Sequence, residues 1–328
     1  MKKQLLMLFL IALLMVLTFG TDKVLVYISG PEKMVSKIEN VFEEKYGDLI
    51  DVFHTGSGPL QQKVWTEMMA GTIQADIIWG AEPLMYFSLM EAGVLHRYYP
   101  QHYDTLYDEL KIGNGYFTAT SIRYGTIIVN RNVLPEENLP TSWSDLKRPI
   151  YTNKITMANA SQSAMAFALF AGLSEVDGGK DILHSMGQNS VFVTRMNMDA
   201  ISLVQSGDKA ICIAPSDGAY RLMKSQKSKE LDPVLEIRWP KEGAFLIQRP
   251  IALVNKKRSE EQLKIAKQFM DFSLSEECQK LSAQFGFETV RQDLDYVLFE
   301  DAKRMSVDWE EIWKNRDEIL DNYSQWLM

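Results

Sequence analysis

Two short turns in this chain carry residue types that hold anions. Thr55-Gly-Ser-Gly58 follows an apolar run and precedes a segment of helical spacing; Asn159-Ala-Ser-Gln-Ser163 stands in the same way before the apolar segment 164–173. A turn of this kind presents free backbone N–H groups, hydroxyl donors and the positive end of a helix dipole, which together favour a negative group. Thr55, Ser57, Gly58, Asn159, Ser161 and Ser163 are therefore candidate ligand-binding residues. The plainer alternative is that Ser57 and Ser161 cap their helices. Arg123 can neutralise an anion bidentately or form a surface salt bridge. Asp217 can accept from an amine or from sugar hydroxyls, which would give a ligand a second, non-anionic end. Glu82 can do the same or be an exposed loop carboxylate, and Trp79 can stack on an organic portion. Tyr220, three residues beyond Asp217, is a further ligand-binding candidate, and His54 reads as a loop-packing residue.

Catalytic chemistry finds less support. His54, His96, His102 and His184 lie far apart, with neither His-Glu-x-x-His nor Cys-x-x-Cys spacing. Gly56-Ser-Gly58 lacks the flanks of a Gly-x-Ser-x-Gly elbow. Cys212, in an apolar run, and Cys278, in a helical stretch, read as small buried hydrophobes rather than a disulfide. Turnover is therefore not the expectation, and neither is a resident metal or organic cofactor.

Segments 23–28, 49–53 and 75–79 read as strands that alternate with helices over 32–46 and 60–69; in the first helix Met34, Ile38, Val41 and Phe42 recur at helical spacing. That alternation predicts a parallel sheet covered by helices, with ligands at the carboxyl ends of its strands. The turns 29–32, 55–58 and 79–82 would share that edge. A second unit repeats the order: strand 124–130, a helix start at Thr141 or Ser142, strand 154–158, helices 164–173 and 199–205, strand 210–214, and a loop 215–220 before another helix. Strand 250–254 and helix 260–274 follow.

A chain of 328 residues has room for two domains. Residues 1–20 carry Lys2 and Lys3 and then an apolar run, and read as a cleaved export signal. Its removal, with two lysines and no acids, would take the net charge from −8 to −10. A balance that acidic opposes binding to nucleic acid and to acidic membrane surfaces.

Taken in order, several stretches resemble the solute-binding proteins of ABC importers, in the branch that takes ferric ion, thiamine, polyamines and phosphorylated solutes. They are Ala75-Asp-Ile-Ile-Trp-Gly-Ala81, Glu91-Ala-Gly-Val-Leu95, Ile128-Val-Asn130, Leu139-Pro-Thr-Ser-Trp-Ser-Asp-Leu146, Val204-Gln-Ser-Gly-Asp-Lys-Ala210 and Ala266-Lys-Gln-Phe-Met-Asp-Phe-Ser-Leu-Ser275. The resemblance spans about residues 22–294. It implies two α/β lobes, residues 21–122 with 251–328 and residues 123–250. Two hinge crossings near 122–125 and 249–252 would join them, and solute would be trapped between them. It further implies a periplasmic or extracytoplasmic monomer that delivers a small solute to an inner-membrane permease; a sensor as the recipient stays open.

Ferric binders of this branch use two adjacent tyrosines helped by a histidine. At the matching places this chain has Ser216-Asp217 and Pro31. The expected solute is therefore an organic anion with a phosphate or phosphonate group, clamped between the two turns, with ferric ion as the alternative. A remoter alternative is a cysteine-dependent enzyme, since one class of thiamine-degrading enzymes shares the fold. Cys212, in a strand expected to be buried, speaks against it.

Overall fold

The computed structural model describes residues 23–327, so the export signal expected at residues 1–20 lies outside the described residues. The first half is built from β1 (Val24–Ser29), α1 (Glu32–Tyr46), β2 (Ile50–Thr55), α2 (Ser57–Met69), β3 (Ile77–Trp79), α3 (Leu84–Glu91) and the two-residue β4 (Leu95–His96). β1 pairs in parallel with β2 on one side and with β3 on the other. Val24, Val26 and Ile28 pack on Met34, Ile38 and Phe42 of α1, which explains the helical spacing. α2 begins three residues before the expected start at Leu60. Its apolar face starts at Leu60, but Ser57, Gly58 and Pro59 form the first turn, where an N–H needs no intrahelical acceptor and proline fits.

A long strand, β5 (Thr118–Asn130), leads into the second half: β6 (Ile155–Ala158), α4 (Ala164–Ser174), α5 (Gly179–Gln188), β7 (Phe192–Thr194), α6 (Asn197–Ser206), β8 (Ile211–Pro215), α7 (Ser216–Lys227) and β9 (Leu235–Arg238). Ser142 caps the short 3-10 turn Trp143–Lys147 through a capping box with Asp145. α7 starts at Ser216, where a loop to residue 220 was expected, and Asp217 in its first turn suits the positive end of the helix. A second long strand, β10 (Ala244–Val254), leads back to α8 (Glu260–Ser273) and α9 (Glu276–Ala283). β11 (Arg304–Met305), α10 (Trp309–Lys314) and α11 (Arg316–Leu327) finish the chain.

The strand order is β2-β1-β3-β10-β5-β8-β6-β7. Three parallel strands with one antiparallel long strand thus occur twice, as the repeated order in the sequence predicts. The ladder is continuous because β5 and β10 run through both halves of this two-lobed α/β fold. Ser121 to Gly125 pair with Arg249 to Phe245 at the crossing, and the register shifts between Arg249 and Pro250, where proline has no N–H to give. The last helix does not stay with the first half: α11 lies on α4 and α5. No helix among the described residues is long and apolar enough to cross a membrane.

Candidate functional site

Level register brings the carboxyl ends of the strands together. Ser29 stands opposite Thr55, and Ile28 opposite Trp79, so the three turns of the first half share one edge. Those of the second half face them, and the halves touch at both rims. At one rim Gly58 meets the backbone of Gln162, where an added Cβ would lie 2.6 Å from the carbonyl oxygen. At the other, Arg221 Nη1 donates to Phe285 O at 3.3 Å and Lys224 Nζ to Gln284 O at 3.1 Å.

Between these rims the crossing strands bury two arginines. Arg249 is fully buried and Arg123 is 6% exposed. Their guanidinium carbons stand 4.8 and 4.7 Å from the centre of one ring, Phe287. Arg249 Nη2 donates to Ser29 O at 2.5 Å, and Gly30, with φ +152°, leaves room for it: a Cβ there would lie 3.0 Å from Nη2. Arg123 Nη1 donates to Asp217 Oδ1 at 3.3 Å. Four further nitrogens, Arg123 Nε and Nη2 and Arg249 Nε and Nη1, find no acceptor among the described residues, and neither do the Ser29 and Ser121 hydroxyls. Buried polar groups are ordinarily hydrogen-bonded, so this concentration of unpaired donors marks a place for an acceptor-rich group. Electrostatics agree. Burial, then the charge of Arg123, pushes the Arg249 guanidinium down to about 9, and burial lowers Arg123 despite Asp217. An anion between them would relieve both the desolvation and the mutual repulsion.

Asp217 proves to be a brace. Burial by itself raises its carboxyl, but Arg123 and Arg221 together hold it below the usual range. Arg221 Nη1 lies 2.5 Å from the second oxygen. With both oxygens engaged, Asp217 fixes Arg123 rather than presenting itself to the far end of a ligand, as the sequence suggested.

The remaining candidates divide. Gly58, Glu82, Ser161 and Ser163 line a cavity of about 650 Å³ at the rim, together with Trp65, Phe167, Arg195, Trp313 and Arg316. Thr55, Ser57, Asn159 and Tyr220 are partly buried and are not in that lining. Ser57 is not a cap, because the residue at the cap of α2 is Gly56 and no side chain bonds there. Ser163 caps α4, accepting from Ala166 N at 3.3 Å, and Asn159 Oδ1 accepts from Ser161 N at 2.8 Å. Glu82 is buried rather than exposed. Its Oε2 accepts from Leu84 N at 2.5 Å, and burial pushes the carboxyl up to about 7 against that bond. Trp79 sits behind the site, its Nε1 donating to Thr120 Oγ1 at 2.7 Å and its ring edge-on to Phe269. It backs Arg249, whose guanidinium carbon is 5.6 Å from the ring centre. Tyr220 packs edge-on against Phe299, and burial, then Tyr296, raises its phenol. His54 Nε2 pairs with Gly30 O at 2.8 Å, bracing the turn beside Arg249.

Arg249, Ser29 and Ser121 were missed as site residues. A signal existed for the first: a lone arginine in the apolar strand Phe245-Leu-Ile-Gln-Arg-Pro-Ile251, a place where charge is rarely buried without a task.

Elsewhere among the described residues this convergence is lacking. An open groove of about 860 Å³ between α1 and α9 is walled by lysines and glutamates that pair with one another, as Lys45 does with Glu277 at 3.3 Å, and it lies away from the strand ends. Among the described residues no group of three or more His, Cys, Asp or Glu could hold a metal ion. Cys212 and Cys278 are unpaired and buried, and burial pushes their thiols up, the reverse of what a nucleophile needs.

A family profile described as "Bacterial extracellular solute-binding protein" matches residues 74–315. Solved structures agree on the fold. The periplasmic binding protein AfuA from Actinobacillus pleuropneumoniae, with exogenous fructose-6-phosphate bound, is 21% identical over 93% of this chain and 98% of its own, with a TM-score of 0.78. The ferric binding protein from Campylobacter jejuni is 20% identical over 92% and 99%, with a TM-score of 0.79. Iron-bound HitA from Pseudomonas aeruginosa is 18% identical over 92% and 98%, with a TM-score of 0.78. No curated protein matches the sequence.

Proposed function

The chain belongs to the bacterial extracellular solute-binding proteins, and we propose that the solute it captures is an organic anion bearing a phosphate or phosphonate group, with its acidic end held by Arg123 and Arg249. As the extracytoplasmic solute-binding component of an ABC transporter it binds a small solute and delivers it to an inner-membrane permease. The lobes are taken as residues 23–122 with much of the segment after 250, and residues 123–250, so that β5 and β10 form the hinge. Closure then assembles a site from both sides through contacts made only in the closed form.

One observation carries the reading: four guanidinium nitrogens buried at the lobe crossing without acceptors. A phosphoryl group offers several acceptor oxygens and a charge opposite to that of the pair, and arginine matches its geometry with two parallel bonds. Fructose-6-phosphate, bound by a protein of this fold, belongs to the same chemical class. The ferric proteins share the fold equally, but a bare trivalent cation would meet two buried positive charges here, and the Tyr220 phenol is pushed away from the phenolate form.

Melting curves with sugar phosphates, small phosphonates, inorganic phosphate and ferric citrate test the proposal, because a ligand of the folded state alone stabilises it by mass action. A saturable rise with a phosphorylated or phosphonate solute, and no consumption of that solute, is the expected result. Tight ferric binding with a tyrosinate absorption band that disappears in Tyr220→Phe would overturn it.

A further inference from the structure

We propose that residues 309–327 form a clasp carried by the second half and latched onto the first through Trp313, so that the clasp sets the balance between open and closed molecules. The idea rests on the reading of the chain as a two-lobed binder that closes on its solute.

The anchoring end is well packed. α11 lies against α4 and α5. The Tyr323 ring stands edge-on to Phe170 with centroids 5.2 Å apart, and Tyr323 is fully buried. Gly187 at the end of α5 passes so close to Trp326 that an added Cβ would lie 1.8 Å from its carbonyl oxygen, so no side chain fits between them. The approach to the clasp is tied down as well, since β11 pairs with Ala244 and Phe245 of β10 and the buried Trp309 donates from Nε1 to Leu246 O at 3.2 Å.

The latching end is lighter. α10 rests on α3 of the first half. Trp313 Nε1 donates to Ser88 Oγ at 2.8 Å, and its ring lies 6.0 Å from that of Phe87 at an interplanar angle of 31°. A single residue, Asn315, separates α10 from α11. A movement of α3 away from α4 and α5 must therefore break the Trp313 contact or bend the chain at Asn315. Trp313, Arg316 and Leu320 also wall the rim cavity, opposite Glu82 of the first half and Phe167 of the second, so the clasp spans the gap that opening would widen.

The Trp313 hydrogen bond and ring contact, with the apolar contact of Ile312, are small beside the anchoring, which suits a latch that must release. They are large enough to move a balanced two-state equilibrium, because each contact made only in the closed form biases it directly. Spin labels at Lys33→Cys on α1 and Lys227→Cys at the end of α7 report the distance between the halves, both positions being exposed, while Cys212 and Cys278 are buried. Measured without solute, Ser88→Ala, Trp313→Phe and Trp313→Ala should each transfer population from the short to the long distance. In Trp313→Ala the closed-to-open ratio should fall by about fivefold or more. If Trp313→Ala does not fold, the two milder variants decide. Distance distributions identical to wild type in every folded variant would overturn the clasp. Because no solute enters the measurement, that result would leave the identity of the solute untouched, and a wrong solute would leave the clasp standing.

Discussion

Arg123 and Arg249 at the centre of the cleft are buried and short of acceptors, whereas Gly58, Ser161 and Ser163 at its rim are partly exposed and already engaged with backbone or facing a cavity. The centre holds charge where water cannot screen it, so a partner there gains strongly and its loss costs much. The rim places small residues where two backbones must approach, and its hydroxyls keep the alternative of water. If the proposed site is right, discrimination among solutes by charge belongs to the centre, and completion of closure belongs to the rim. The contrast also separates two kinds of residue: an unpaired buried cation works against stability and for binding, while a helix cap works for stability whatever is bound.

The largest effect should come from Arg249→Met. Loss of a buried partner for the anion should weaken binding of a phosphorylated solute by about 3 kcal/mol or more, read by calorimetric titration. Denaturant unfolding without solute should be neutral or slightly more stable than wild type, because a buried charge without a carboxylate partner of its own has been replaced by an apolar chain. Equal losses in both measurements would collapse the distinction between centre and rim.

Glu82 sharpens it from the other side. Its folded carboxyl titrates near 7 against an ordinary 4.5, so between those values the folded chain keeps a proton that the unfolded chain has lost. Stability contributed by that proton is present below pH 4.5 and is lost as the pH rises through about 7. Glu82→Gln cannot titrate. Its stability relative to wild type should rise by up to about 3 kcal/mol between pH 4.5 and pH 7.5, measured by urea unfolding at each pH.

Gly58→Ala probes the rim where the halves meet. The added methyl clashes with Gln162 across the cleft only when the lobes are together, so solute affinity should fall by about 1 to 2 kcal/mol with little change in unfolding. The smallest effects belong to the hydroxyls. Ser57→Ala and Ser161→Ala should each cost about 1 kcal/mol of binding or less and add when combined, while Ser163→Ala should instead cost about 1 kcal/mol of stability through its lost cap. A rim hydroxyl that costs as much as Arg249 would move the anion to the turns.

Local chemistry made much of this legible in the sequence alone. The alternation of apolar runs and helical spacings placed α1, β6, α4 and α8 within a residue or two: α1 and α8 bury one apolar face, while β6 and α4 are buried almost throughout and read as unbroken apolar runs. The order of motifs supplied the two-lobed family fold, and Gly-Ser-Gly before a helix supplied the rim. Arg123 was singled out, but as an isolated cation whose partner was unknown.

What only the tertiary structure decided is which distant residues meet. Arg123 and Arg249 are far apart in the chain and become neighbours through the antiparallel register of β5 and β10; Phe287 arrives between them from a third segment. Asp217 changes from ligand contact to brace because Arg221, one helical turn on, and Arg123, from another strand, occupy its two oxygens. Trp79 withdraws into the core because β3 pairs with β10 and turns the indole toward α8. The last helix lies on the second half because Gly187 opens a place for it. Local sequence sets the period and the turns, since those depend on neighbours along the chain. Burial of charge and its partners depend on the crossing of strands, which no local pattern records.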